Sequence, residues 1–128
     1  MAIKNTNIKK ISLVILVIFY FLAGCNHFYN PQSYYHIIPS YLPYPIALNI
    51  LAGIFEILFA LMLIFQRTRR LAAYGIILML LAFLPVHIKM VIDAPVILGT
   101  LKVSLLVAWI RLVILQPLLI LWAWWHRE

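Results

Sequence analysis

Apolar positions fall into four long runs, separated by short breaks that are polar, basic or rich in proline. The runs extend from about Ile8 to His27, Pro45 to Phe65, Leu71 to Ile92 and Leu101 to Trp125. Each approaches or exceeds the roughly 20 residues that about 30 Å of hydrocarbon requires. None alternates in the short segments of a membrane barrel, so the pattern predicts helices. The expected fold is all-α: a single domain over residues 1–128 forming an integral membrane four-helix bundle. Pro85 and Pro117 fall inside the third and fourth runs and predict kinks, since proline removes an amide donor and crowds the preceding turn. No linker, low-complexity tract or internal repeat interrupts the pattern.

Composition agrees with that pattern. The chain of 128 residues is 66% hydrophobic, whereas soluble domains run at about 45–50% apolar. A soluble fold of this length cannot hide so much apolar surface, so the lipid bilayer is the expected partner. Ten Lys and Arg against three acids give a net charge of +7. The cations sit mostly at the ends of apolar runs, where they set topology, so the basic balance does not imply nucleic acid. Lys4, Lys9 and Lys10 precede the first run, Arg67, Arg69 and Arg70 join the second to the third, and His126-Arg127 follow the fourth. The segment from Phe28 to Tyr44 carries no Lys or Arg. The positive-inside rule then puts both termini in the cytoplasm.

Segment 28–44 holds Tyr29, Tyr34, Tyr35, Tyr41 and Tyr44 among Pro31, Pro39 and Pro43. It reads first as an interfacial cap with a short turn from Gln32 to Ile38, and second as a lid over an outward-facing pocket. Trp122, Trp124 and Trp125 read as the matching inner belt, and His36 and His126 as solvated. Leu22-Ala23-Gly24-Cys25 matches a bacterial lipobox behind a basic start and an apolar core. Three further spans argue against processing there, because cleavage would discard a quarter of the bundle. Cys25 is the only cysteine, so no internal disulfide or dithiol forms, which disfavours stand-alone thiol oxidation.

The chemistry lies in a few polar residues inside the runs. Glu56 lies about 11 residues into run two, roughly 16 Å deep, and Arg111 about 10 residues into run four, roughly 15 Å deep. An intramembrane charge faces the bundle interior and has a partner, so Glu56 and Arg111 are expected to pair if spans two and four adjoin. Asn49, Gly53, Glu56 and Ala60 make one small and polar stripe, and Ser104, Ala108 and Arg111 another. Gln116 falls off the Arg111 stripe and is expected to bond a neighbouring helix or a carbonyl freed by Pro117. Tyr20, Gly24 and His27 share a face, as do Phe83, His87 and Met90. Asn26, His27, Glu56, His87 and Arg111 are the candidate ligand-binding residues of a polar chamber opening outward. Histidine there would carry protons or contact a small polar or redox-active molecule. A buried structural network is the competing reading. Haem held by His27 and His87 is disfavoured for want of small-residue clearings on both helices. A metal is disfavoured because the two histidines and Glu56 lie at different depths. No nucleotide loop, nucleophile elbow or glycine-rich phosphate cradle occurs, and no catalytic residue stands out.

Across nearly the whole chain these residues resemble the DoxX family of four-span bacterial membrane proteins. Ala23-Gly24-x-x-His27-Phe28-x-x-Pro31 resembles its first-span exit, and Ile37-Ile38-Pro39-x-x-Leu42-Pro43-x-Pro45 the loop that follows. Gly53-x-x-Glu56-Ile57 with Arg67-Thr68-Arg69-Arg70 resembles the second span and its basic turn. Leu84-Pro85-x-His87-Ile88-x-Met90 resembles the third-span end. Arg111 with Leu115-Gln116-Pro117-Leu118-Leu119-Ile120-x-Trp122-Ala123 completes the resemblance. The family takes its name from a small subunit of a thiosulfate:quinone oxidoreductase. Other members are associated with redox-stress complexes, and animal relatives look like receptor assembly factors. The resemblance implies a redox-associated subunit that binds a quinone-like or other small molecule, with a membrane or soluble redox partner and a second copy of itself as candidate partners. The alternative is a non-enzymatic assembly or scaffold protein whose intramembrane network is structural. Transport is weaker, because four short spans leave little room for alternating access.

Overall fold

The computed structural model describes residues 2–98 and 100–128. Helix α1 runs over Ala2–Tyr29, and a one-turn helix α2 follows at Pro31–Tyr35. Helix α3 spans Pro45–Ile64 and α4 spans Gln66–Ala82, with α5 continuing at Leu84–Asp93. Strands β1 (Val96–Leu98) and β2 (Leu101–Val103) form an antiparallel hairpin. Helix α6 (Leu105–Ile110), a π-helical turn (Arg111–Leu115) and α7 (Gln116–Trp125) then make one continuous rod. Four helical stretches are long and apolar enough to cross a bilayer: Asn7–Tyr29, Pro45–Ile64, Gln66–Asp93 and Leu105–Trp125. Large apolar side chains stay exposed along all four, among them Ile15, Leu22, Leu61, Leu78, Leu106 and Leu121. Such a girdle needs an apolar medium around it.

The expected boundaries shift in two places. The third span begins at Gln66, not Leu71, so the arginines belong to the first turn of α4 rather than to a loop. Phe65 alone breaks the helix, with an extended backbone at φ −94° and ψ 128°. Thr68 Oγ1 donates to Met62 O at 2.7 Å, and Arg69 donates to Leu63 O at 2.9 Å and Ile64 O at 3.2 Å. These bonds satisfy the last carbonyls of α3, which otherwise have no partner. The fourth span begins at Leu105, not Leu101. Residues Leu101–Val103 pair with β1 instead, and Ser104 caps α6 by accepting from the Val107 amide at 3.2 Å. Ser104 is therefore exposed, and of its proposed stripe only Ala108 is fully buried.

The helices are irregular just before both prolines. Regular helix is interrupted at Phe83, ahead of Pro85. Ahead of Pro117 the backbone widens into the π turn, where the Gln116 amide reaches Arg111 O five residues back. The wider turn relieves the clash that a proline ring would have with an α-helical carbonyl.

The spans pack in chain order, first on second, second on third and third on fourth. The fourth closes on the first through Phe19 and Trp122, whose rings are 6.0 Å apart, and through Ser12 and His126. Spans two and four are therefore diagonal partners rather than neighbours. Spans one and two cross at two glycines. A Cβ on Gly24 would lie 2.9 Å from Gly53 O, and one on Gly53 would lie 2.9 Å from His27 Cβ. No other residue permits this approach of two backbones.

Two apolar clusters hold the bundle. One, near the chain termini, joins Leu16, Leu63, Ile76 and Leu80 with Tyr20 and Ala123. The other, at the α2 end, joins Ile37, Met90, Val103 and Ala108. The termini end also buries His126, contrary to its expected solvation. Its Nε2 lies 2.9 Å from Ser12 Oγ, which accepts from Trp122 Nε1 at 2.8 Å. The Ser12 hydroxyl thus joins the His126 imidazole to the Trp122 indole. Burial, with Lys9 and Arg69 nearby, pushes the His126 pKa down to about 4. Trp122 thus belongs to this internal lock, and only Trp124 and Trp125 stand exposed as a belt.

Candidate functional site

Five buried polar side chains sit on the inner faces of the spans between or beside the two clusters: His27, Asn49, Glu56, His87 and Gln116. The stripe on α3 is seen as expected, with Asn49, Gly53, Glu56 and Ala60 all buried. Its register explains the site. From the Gly24–Gly53 crossing, His27 lies about 4.5 Å toward the α2 end on α1 and Asn49 about 6 Å the same way on α3. Glu56 lies about 4.5 Å in the opposite direction. His27 is thus level with Asn49 and reaches back to Glu56.

Hydrogen bonding settles which ring nitrogen carries a proton. Asn49 Nδ2 donates to His27 O at 2.9 Å, so its Oδ1 faces His27 Nδ1 at 2.7 Å. That oxygen only accepts, so Nδ1 carries hydrogen. The other nitrogen, Nε2, lies 3.1 Å from Glu56 Oε2, though without hydrogen-bond alignment. The contact is therefore a close approach of an imidazole and an acid, not a formed hydrogen bond.

Tyr34 covers this pair from α2. Its ring stacks on His27 with centroids 3.9 Å apart, and its hydroxyl accepts from Asn26 Nδ2 at 2.6 Å. Asn30 Nδ2 donates in turn to Asn26 Oδ1 at 3.0 Å. Asn26 therefore ties the end of α1 to α2, and it is exposed. Burial pushes the Tyr34 hydroxyl above its ordinary range; the Asn26 bond opposes this and the nearby Glu56 adds to it. A groove of about 400 Å³ beyond α2, lined in part by Asn30, Gln32, His36 and Ile97, shares none of the buried residues.

The expected Glu56–Arg111 ion pair does not form. Among the described residues the ion pairs are His27–Glu56, Lys89–Asp93 and Arg127–Glu128. Two physical reasons account for it. Spans two and four are diagonal, and the later start of α6 leaves Arg111 only about 9 Å into its helix, against about 16 Å for Glu56. Arg111 Nη1 instead donates to Gln116 Oε1 at 2.6 Å, and Gln116 Nε2 donates to Leu80 O. An α-helix would point residues five apart in different directions. The π turn, whose hydrogen bonds join residues five apart, brings Arg111 and Gln116 close enough to bond. The contact of Gln116 with a neighbouring helix is as expected, but its partnership with Arg111 is not.

Arg111 still faces the interior. Tyr20, Glu56 and His87 all lie within its electrostatic reach. Three buried polar side-chain atoms among the described residues have no hydrogen-bond partner: Tyr20 Oη, Glu56 Oε2 and His87 Nδ1. Each such group costs about 1–3 kcal/mol. Tyr20 and His87 thus keep unused polar atoms, and Arg111 keeps N–H groups beyond the one bonded to Gln116. His27 turns both nitrogens to protein partners and presents no free one to a haem iron. No group of three His, Cys, Asp or Glu that could hold a metal converges among the described residues.

Of the candidate residues, His27, Glu56 and His87 are buried, Arg111 is half-buried and Asn26 is exposed. Sequence reasoning passed over Asn49, Tyr20, Tyr34 and Gln116 as site residues. Asn49 and Tyr20 were visible on the right stripes, whereas Tyr34 and Gln116 depend on the lid and the π turn. Cys25 lies half-buried in unbroken helix.

A family model described as "Domain of unknown function (DUF8561)" matches residues 16–127. No curated protein and no solved structure matches the chain.

Proposed function

The chain belongs to the DUF8561 family, and from the residue resemblances and the geometry above we propose that it is a DoxX-type, redox-associated subunit of the bacterial inner membrane. It binds a quinone-like or other small molecule in a polar chamber opening outward, with both termini cytoplasmic. The Lys and Arg distribution supports the orientation, since the α2 segment lacks both and the α3–α4 turn is rich in Arg. The observation that carries the ligand is the trio of buried polar atoms without a hydrogen-bond partner, Tyr20 Oη, Glu56 Oε2 and His87 Nδ1. A network serving only packing would have closed on itself. The Glu56–His27 pair would hand a proton to the bound molecule, and a partner protein would bring electrons.

The second reading is a non-enzymatic assembly or scaffold protein. The reciprocal His27–Asn49 bonds favour it, because they tie spans one and two together without any ligand. Glu56→Gln separates the two. A glutamine amide can donate to His27 Nε2 and so keep the contact, but it cannot give up a proton. Native mass spectrometry of gently solubilised protein should show a copurified small molecule in the wild type. Quinone-dependent activity of the membrane complex should vanish in Glu56→Gln while the folded amount stays the same. Unchanged activity, or loss of fold with no copurified molecule, would favour the scaffold.

A further inference from the structure

Lysines and arginines collect at one end of the bundle and have almost no acid to answer them. We propose that this end is a docking surface for anionic phospholipid, with the phosphodiester seated where Lys9 of α1 meets Trp125 of α7. The inference rests on the four membrane spans and not on any ligand in the interior.

Lys9 and Lys10 lie near the start of α1, Arg67, Arg69 and Arg70 in the first turns of α4, and Arg127 just past α7. Successive spans run in opposite directions, which brings these segments to one level. Lys9 and Arg69 both lie within electrostatic reach of the buried His126. The chain has three acids. Glu56 is buried inside α3, and Asp93 is paired with Lys89 at the opposite end. Glu128 is therefore the one acid here; its side chain is 73% exposed, and Arg127 Nη2 approaches it only to 3.7 Å. Lys9, Lys10, Arg67, Arg69 and Arg70 form no ion pair among the described residues.

Topology requires only that such charges stay on one side of the bilayer, not that they be held in place. Three of them are nonetheless held. Lys9 Nζ lies 5.9 Å from the Trp125 ring centroid, Arg70 Cζ 5.9 Å from that of Tyr74, and Arg127 Cζ 3.6 Å from that of Trp124. All three rings are exposed, and exposed tryptophan and tyrosine sit at headgroup level. The cations are thereby kept where lipid phosphates lie. Arg69 is already bonded to Leu63 O and Ile64 O, so it adds charge more than contact. Along the two helices that meet at the Lys9–Trp125 contact, Ile8, Ile11 and Ile15 of α1 and Leu118 and Leu121 of α7 stand exposed for acyl chains. A soluble anion would match the charge but would leave that apolar surface unused.

The test measures thermal stabilisation of the purified full chain in a neutral detergent by dioleoyl phosphatidylglycerol, by dioleoyl phosphatidylcholine and by inorganic phosphate. The two lipids share acyl chains and a phosphodiester, and only the second carries an ammonium group that cancels its charge. Phosphatidylglycerol should stabilise at about tenfold or more lower concentration, since each cation near an anionic surface contributes about fivefold. Lys9→Gln should lower that preference about fivefold, and added salt should weaken it. Lys102→Gln, which removes a cation at the hairpin end, should leave it unchanged. If Lys9→Gln does not fold, Lys10→Gln, at an exposed position, takes its place. Equal potency of the two lipids overturns the proposal. So does a preference that survives Lys9→Gln and Lys10→Gln together, or that falls as far in Lys102→Gln. Stabilisation by inorganic phosphate at the concentrations at which phosphatidylglycerol acts overturns it too, by assigning the surface to a soluble anion.

Discussion

The Gly24–Gly53 crossing gives the sharpest test of how this site is assembled. In Gly24→Ala the new Cβ would lie 2.7 Å from Ile57 Cγ1, 2.9 Å from Gly53 O and 3.0 Å from the Ile57 amide nitrogen. The isoleucine side chain can shift, but the two main-chain atoms of α3 can move only with the helix. Restoring contact with Gly53 O to about 3.4 Å separates the spans by about 0.5 Å. Carried to the site, that displacement stretches Asn49 Nδ2 to His27 O from 2.9 Å toward about 3.4 Å. It stretches His27 Nε2 to Glu56 Oε2 from 3.1 Å to about 3.6 Å, past hydrogen-bond reach. Overpacking of this kind costs about 1–3 kcal/mol, while alanine gains up to about 1 kcal/mol in helix propensity. A net loss of about 1–2 kcal/mol follows, with a disproportionate effect on the site. Reversible unfolding in mixed micelles reads the first, and the imidazole nitrogen shifts of His27 read the second. Val14→Ala, on an exposed position of the same helix, is the control. If Gly24→Ala matches or exceeds wild-type stability and leaves the His27 shifts unchanged, the crossing does not position the pair and the register argument fails.

Three further outcomes are expected. Gln116→Leu removes a bond from Arg111 and the amide bonded to Leu80 O, so it should cost about 2–3 kcal/mol in the same unfolding assay; a loss below about 0.5 kcal/mol would show that the π turn's pairing is incidental. His126 has its pKa pushed down to about 4, so protonation favours the unfolded chain. Its contribution is complete above the ordinary histidine range near 6.5 and declines as pH falls from there toward about 4. The difference in stability between wild type and His126→Gln, followed over that interval, should shrink toward acid and stay level above neutrality. Tyr34→Phe keeps the stack on His27 and loses only the exposed bond to Asn26, so it should change stability by less than about 1 kcal/mol. Tyr34→Ala should expose the ring and speed hydrogen exchange at His27 Nδ1, and an unchanged exchange rate would remove α2 from the role of lid.

The legibility of the site varied with how local each determinant was. Glu56 stood out because an acid inside an apolar run is costly wherever the helix lies, and its stripe-mates followed from helical periodicity alone. Its partner was not legible in the same way. Arg111 matched it in depth only while the fourth helix was counted from Leu101. Three residues of apolar strand look the same as a helix start in composition, so the hairpin moved Arg111 nearer the bundle end. His27 sits at the end of its apolar run, and nothing local says that its ring reaches back past a glycine crossing to the acid. His126 resembles any terminal interfacial histidine until Ser12, more than a hundred positions away, is brought against it.

By itself the sequence determined the helical rods, their number, their apolar girdle and the inward stripe of α3, since these depend on residue type and a period of 3.6. It determined too that the interior would hold one acid and one arginine. Only the tertiary structure decided who faces whom. That choice rests on span order around the ring, on a backbone crossing allowed by two glycines, and on a π turn that rotates Gln116 beneath Arg111. Each is a relation between segments that are distant in the chain or between helical geometries, and a difference of one turn moves a side chain by more than the reach of a hydrogen bond.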